Sequence, residues 1–317
     1  MCDDGVAPYT SLQDAVDGAS DGDVVTVCAG DWDSVVVASM ALTLRGVDGP
    51  DATRIEGDVD HPALTMIGTD AGTLVEGFTL SGDGAAAISV AKLEDAVVEW
   101  RDVRVSDVYG NPGTVAVQVT RGAWTAEGVE FSDIVGVDYV VSLQLGEHVV
   151  RHSIFRDTTS VGYVVYAFDG PTIEMENNLF LDNVHDGAGY VVYLPDTSAS
   201  IEVKHNTWYG NDIQADAYVG NNVDFDDNIS VALGLNGFYF RGSDADFNLA
   251  SGANAPFEGN GGESNTIGDP LFVDVATRDV HLTAGSPAND GGNPDGPVDA
   301  DGSAPDQGAY GGPAGAW

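Results

Sequence analysis

Positive charge is what this chain most lacks: 11 Lys and Arg stand against 51 Asp and Glu in 317 residues, a formal net charge of −40. A phosphate backbone would be repelled, which excludes nucleic acid as a partner, and an anionic membrane would be repelled too. Cysteine is nearly absent, with two residues, Cys2 and Cys28. No zinc-type Cys/His spacing, phosphate-cradling glycine loop or nucleophile elbow occurs. No apolar run reaches the ~18 residues of a membrane-spanning helix, so no membrane insertion is expected. Disorder is excluded as well, because 43% of residues are hydrophobic, too many for an unfolded acidic tail. The chain therefore reads as a folded object with an acidic surface, suited to cations, basic or neutral surfaces and neutral glycans. A saline habitat or bound calcium each accounts for such acidity.

Turn formers are plentiful, with 41 Gly and 13 Pro among many Val, Ile, Thr and Asp, a mixture that favours short strands and tight turns. Near the start, residues 10–19 predict a short amphipathic helix with Leu12, Ala15, Val16 and Ala19 on one face and Thr10 with Gln13 as a capping box. Such a helix would cover the open first rung of a solenoid. Pairing Cys2 with Cys28 would clip the N-terminus to the first coil, which suits an oxidising compartment. Met1 directly before Cys2 reads as a start residue standing where a leader was removed. An extracellular or cell-surface location is therefore expected.

Further on, the chain repeats. Leu80, Val105, Phe131, Phe155, Phe180 and Trp208 recur at spacings of 25, 26, 24, 25 and 28, a period typical of solenoids. A second strand aligns as Ile88, Val117, Val141, Val165 and Val192, followed two positions on by Val90, Val119, Leu143, Ala167 and Leu194. Four residues before each member of the first set stand Glu76, Arg101, Glu127, Arg151, Glu176 and Lys204, alternating in sign, with Arg54 before and Asp226 after. Parallel in-register strands lie ~4.8 Å apart, where opposite charges attract by about 1 kcal/mol in water. The column is thus expected to pin register. A second column, Asp107, Asp133, Asp157 and Asp182, stacks like charges and needs turn amides or a cation. A third, Asn178, Asn206 and Asn228, reads as a turn ladder. The expected architecture is all-β: a single right-handed parallel β-helix, one continuous domain with an N-terminal cap and first strand at 1–35, coils at 36–265 and an irregular C-terminal cap at 266–317.

The opening APYTSLQDAVDGASDGDVVTVCAGDW, the coil motifs MENNLFLDN and VKHNTWYGN, and the closing GDPLFVDVATRDVHLTAGSPANDGGNPDGPVDADGSAPDQGAYGGP resemble the pectin-lyase-like right-handed parallel β-helix superfamily, especially extracellular bacterial members of unassigned function. Many members cleave acidic polysaccharides by β-elimination, so the resemblance implies a search for a cation beside a Lys or Arg base. The best cluster is Arg151, His152, Glu176, Asn177, Lys204 and His205, with Arg151, His152, Lys204 and His205 as the catalytic candidates of a lyase. The hydrolase branch points to Asp224, Asp226 and Asp227, but its accompanying His and Arg-Lys motifs are missing. His61, His148, His185 and His281 are isolated and read as structural.

For binding, Tyr139, Tyr163 and Tyr190 form one column, and Tyr166 and Tyr193 form another at an outward position, where aromatic platforms suit sugar rings. Tyr166, Tyr193, Glu176 and Asn177 are the candidate binding residues. Trp100, Trp124 and Trp208 are assigned to the core. Calcium is the one cofactor considered, at the Asp column or at Asp299, Asp301 and Asp306 in DADGSAPDQG, with Asp290 and Asp295 nearby. Two functions stay open: a structural, adhesive or glycan-binding module whose partner is a neutral glycan or cell-surface polysaccharide, or a polysaccharide lyase. The second is set back because Arg151 and Lys204 already serve the charge column.

Overall fold

The computed structural model describes residues 9–82, 89–185, 189–195, 200–234, 236–241, 244–259 and 261–315, with the backbone alone at Asp244. Strand after strand pairs in parallel with its counterpart one coil later, and three stacks of strands enclose a single elongated core. The second stack aligns Ile55, Leu80, Val105, Phe131, Phe155, Phe180 and Trp208, in the order the period implied. Inside the coil, Phe131, Phe155, Phe180 and Trp208 lie ring on ring at 4.4, 4.8 and 4.9 Å, a geometry that adds to burial because offset rings attract. Trp100, Trp124 and Trp208 are fully buried.

The third stack aligns Val117, Val141, Val165 and Val192. Its preceding rung differs from expectation. Ile88 lies outside the described residues, and Val117 and Val119 face Ala91 and Leu93 where Ile88 and Val90 were expected. The connection from second to third stack varies in length from coil to coil, so a fixed period misplaces that rung.

At the N-terminal end the helix is shorter than expected, Leu12–Asp17, and its cap is Ser11, whose side chain accepts from Asp14 N, not Thr10. Leu12, Ala15 and Val16 are buried as expected. Gln13 does something other than close a capping box. Its Nε2 donates to Val36 O at 3.1 Å and its Oε1 accepts from Val36 N at 2.8 Å, so one amide side chain satisfies a backbone edge of the first rung that would otherwise lack a partner. Cys2 lies outside the described residues, and with it the pairing to Cys28.

Two ladders of buried amides fill the bends. Backbone amides of Ser153, Asn178, Asn206, Asn228 and Asn248 each donate to the side-chain oxygen of the next coil's Asn178, Asn206, Asn228, Asn248 and Asn265. The asparagine column therefore continues two coils beyond the three residues read from sequence. The second runs Thr158, Asn183, Asn211 and Asp216. Each quoted coil motif carries one rung of both ladders.

The closing segment begins with Thr266–Ile267 stacked on Leu249–Ala250, and is otherwise irregular apart from the antiparallel pair Phe272–Asp274 and Asp279–Leu282 with a single 3-10 turn, Val275–Thr277, between them. It folds back along the outside of the second stack, where Leu179, Leu181, Val280 and Ala309 form a second apolar cluster with Ile154, Tyr209, Phe272 and Tyr310 at its edge. Strands there are buried on both faces, as Leu179–Leu181 shows.

Candidate functional site

The first stack carries the alternating charges on its outer face. The register is Arg45, Glu76, Arg101, Glu127, Arg151, Glu176, Lys204, Asp226, so the expected column is present, with Arg45 at its start. Arg54 belongs to the second stack, opposite Asp31 and Thr79. A long loop after Gly46 replaces the one-residue bend of later coils, and counting by period overshoots it. Alternation ends at Asp226, which faces Asp246. The cations also lean on a parallel column two residues back: Arg101 meets Glu99 at 2.5 Å, Arg151 meets Glu174, and Lys204 meets Asp224 at 2.6 Å. Burial alone would lower the Lys204 ammonium, and the carboxylates around it, Asp224 first and then Glu202 and Asp226, together more than offset it, leaving the pKa raised.

Reversing this charge tests the column. Lys204→Glu puts a carboxylate among Glu176, Glu202, Asp224 and Asp226 and is expected to lower stability by about 2 kcal/mol at low salt, less as salt is added. Denaturant melts at two ionic strengths read this, and an unchanged midpoint at low salt would remove the column's role in register.

Scarce cations leave little for chemistry. Among the described residues, Arg45, Arg54, Lys92, Arg101, Arg104, Arg121, Arg151, Arg156, Lys204 and Arg278 each contact at least one carboxylate. The remaining one, Arg241, donates to Tyr218 Oη at 3.3 Å.

The lyase candidates separate into two sets. Arg151, Glu176 and Lys204 stand on consecutive rungs of the outer face, as expected. His152, Asn177 and His205 occupy the bend that follows, in left-handed backbone at φ 48°, 55° and 52°, and the closing segment lies over them. His152 Nε2 meets Ala314 O at 3.0 Å and its Nδ1 meets Glu127 at 2.6 Å. Asn177 Nδ2 donates to Ala309 O and Gly311 O at 2.9 and 2.8 Å. His205 Nδ1 meets Asp306 O at 3.1 Å, and Asp227, one coil on, accepts from Asn293 N at 2.6 Å. These bends anchor the segment, which leaves His205 and Asn177 buried.

Burial pushes the His205 imidazole down to about 4 and the Asp227 carboxyl up to about 7. Between those values both groups are neutral, so their 3.7 Å approach is a contact of uncharged groups in that range. Burial raises Asp226 to about 6. Asp224 is held by Lys204 and Asp227 by the closing segment, so the three hydrolase candidates do not converge on open space. A cleft of about 370 Å³ beside His152 is lined by Glu127, Gly128, Val129, Glu130 and Ile154. Its carboxylates are engaged, Glu127 by His152 and Glu130 by Arg104 and Arg156.

The Asp column occupies the bend between second and third stacks, in left-handed backbone at φ 52° to 55°, which Asp tolerates better than most residues. Three of its four charges are compensated by arginine: Arg54 meets Asp107 at 2.9 Å, and Arg278 of the closing segment meets Asp157 at 2.6 Å and Asp182 at 2.7 Å. In the closing loop Asp299 accepts from Asp306 N, Asp301 from Ser303 N and Asp306 from Asp290 N, each carboxylate holding a turn. Among the described residues no group of three or more His, Cys, Asp or Glu is arranged to hold a metal. His148 is buried and pushed down to about 4, and His185 is buried; His61 and His281 each face one Asp of their own loop.

One outward surface is unlike the rest. On the third stack Tyr139, Tyr163 and Tyr190 align in one column, and Tyr166, Tyr193, Tyr218 and Tyr239 in the next. All seven rings are half-buried and form one continuous strip, with Phe168 stacked beside Tyr166 at 5.1 Å. The two closest ring pairs are diagonal, Tyr139–Tyr166 at 4.6 Å and Tyr163–Tyr193 at 4.7 Å, and the next, Tyr193–Tyr218 at 4.9 Å, lies within one column. Burial first, and neighbouring phenols second, raise the pKa of Tyr163 and Tyr190, keeping them neutral hydroxyls. Tyr218, Tyr239 and Phe168 were not singled out from sequence. Tyr193, Tyr218 and Tyr239 recur at 25 and then 21: Tyr218 falls on the period, and the shortened coil hides only Tyr239 from it.

No family model matches the sequence, and no characterised protein matches it by sequence. Among solved structures, the pectin methylesterase of Aspergillus niger, in deglycosylated and penultimately deglycosylated forms, aligns over 89% of this chain and 89% of its own at 13% identity, with a TM-score of 0.36. The chain has the parallel β-helix fold. At such identity and score the likeness says nothing of activity.

Proposed function

We propose that this chain is a non-catalytic glycan-binding β-helix, secreted or held at the cell surface, whose ligand face is the tyrosine strip of the third stack. One observation carries the reading: seven tyrosines form a continuous outward strip on a chain whose basic residues are nearly all engaged by its own carboxylates. A uronate polymer would meet a molecule of charge −40 without a cation to receive it, whereas a neutral glycan meets no such barrier. Aromatic side chains that stay half-exposed on a rigid scaffold lose little entropy on binding. β-Elimination finds less support, since its candidate histidines serve the closing segment. The Cys2 to Cys28 clip belongs to the same extracellular reading, and thiol titration of the unfolded chain before and after reduction tests it.

Affinity electrophoresis through gels containing xylan, mannan, arabinan or β-glucan tests the function. At least one neutral polysaccharide is expected to retard the protein, and the double variant Tyr163→Ser/Tyr193→Ser is expected to lose most of that retardation while keeping its far-ultraviolet circular dichroism. Release of unsaturated products from pectate or alginate would overturn the non-catalytic reading.

A further inference from the structure

The strip's rings are turned in a way that decides how it meets a ligand. Face-on platforms bind sugars through an exposed π face. Here the faces are covered by one another: Tyr139 and Tyr166 are nearly parallel at 24°, Tyr163 and Tyr193 at 13°, and Tyr218 and Tyr239 at 10° with centroids 5.3 Å apart. Rings stacked along the coil axis turn their edges outward. The hydroxyls of Tyr139, Tyr163, Tyr166, Tyr190 and Tyr239 are not among the buried unpaired groups, nor do they bond to protein, so they reach solvent. Tyr218 Oη is the one that receives Arg241.

We propose, building on the glycan-binding reading above, that the strip recognises an unbranched neutral glycan laid along the solenoid axis through this row of phenol hydroxyls and not through ring faces. Three features argue for that ligand. The strip is two tyrosines wide at its two middle coils and one elsewhere, and it climbs from the coil of Tyr139 to the coil of Tyr239, four steps of about 4.8 Å or about 19 Å in all, so it is long and narrow and runs with the axis. A row of neutral hydroxyls that both donate and accept complements sugar hydroxyls, which do the same. Charge excludes the polyanionic alternative, because the flanking residues of the same column include Glu258 after Tyr239 and the molecule as a whole is acidic. A branched chain would lift its backbone from so narrow a strip.

Isothermal calorimetry with linear oligosaccharides of the polysaccharide retained best, from dimer to octamer, tests the inference with Tyr166→Phe, Tyr190→Phe and Tyr166→Ala. Affinity is expected to rise with length and level off near four or five sugars. Each Phe variant is expected to bind about fivefold more weakly, the loss of one neutral hydrogen bond, at an unchanged melting temperature. Full affinity in both Phe variants with loss in Tyr166→Ala would overturn hydroxyl recognition and leave glycan binding standing. Equal affinity from dimer to octamer would overturn the axial placement. Absence of binding to every neutral polysaccharide would remove the function itself and this inference with it. Concentration-dependent dimerisation abolished by the Phe variants would assign the strip to a second copy of the chain.

Discussion

Asn206→Ala is expected to destabilise the protein by about 4 kcal/mol, more than any surface change, because one side chain satisfies five groups in a water-free bend. Its Oδ1 accepts from Asn178 N at 3.0 Å and Asn178 Nδ2 at 2.9 Å, and its Nδ2 donates to Met175 O, Lys204 O and Asn228 Oδ1. Alanine removes all five bonds at once and leaves Asn178 N without its partner in the bend, while Asn178 Nδ2, Lys204 O and Asn228 Oδ1 each keep one bond, to Val150 O, Asn177 N and Asn206 N. Urea denaturation gives the number, and the same substitution at Asn265, at the more open end of the ladder, provides the comparison, with an expected loss of about 1 kcal/mol. Equal losses at the two positions would show that the ladder's burial does not set its strength.

Stability is expected to fall as pH rises from about 5 to 8. Burial raises the carboxyls of Asp216 and Asp227 to about 7 and Asp226 to about 6. A group whose folded pKa exceeds its unfolded value stabilises fully below the unfolded value, near 4, and loses that contribution as pH climbs through the folded one. His148 and His205, pushed down to about 4, act the other way: they destabilise as pH drops from about 6.5 to 4. The two trends oppose below about 6.5. Above it the histidine contribution is flat and Asp216 and Asp227 continue to lose theirs, while the ionising carboxylates add to self-repulsion. The double variant Asp216→Asn/Asp227→Asn preserves the acceptor oxygens for Asn211 Nδ2 and Asn293 N and should raise the melting temperature by several degrees at pH 8, with little gain at pH 5. A gain of the same size at both values would mean that ionisation of these carboxyls is not what weakens the fold.

Local repetition made much of this legible. Phe131, Phe155 and Phe180 share a column because each coil makes the same bend at the same place, and the charges of Glu127, Arg151 and Glu176 follow from that register. Where a coil departs from the period, position is lost: the loop after Gly46 moves Arg54 into another stack, and the shortened coil before Tyr239 hides the last tyrosine of the strip. The second amide ladder was visible as Asp182-Asn183 and Gly210-Asn211 within the coil motifs, a polar residue following each left-handed bend, but without three dimensions it merges with ordinary turn chemistry.

Composition and period by themselves determined the β-helix, the inward aromatics, the asparagine bend and the alternating charges, because each depends on neighbours one coil away and therefore recurs in the sequence. The tertiary structure alone decided that His152, Asn177 and His205 lie beneath residues 293–314, that Arg278 answers Asp157 and Asp182, and that the tyrosine rings cover one another. The contacts of the closing segment join parts of the chain with no shared period, some more than 100 residues apart, and the ring orientations depend on side-chain packing that a residue spacing does not carry. The geometry of those contacts depends on where an aperiodic segment comes to rest, and no repeat records that.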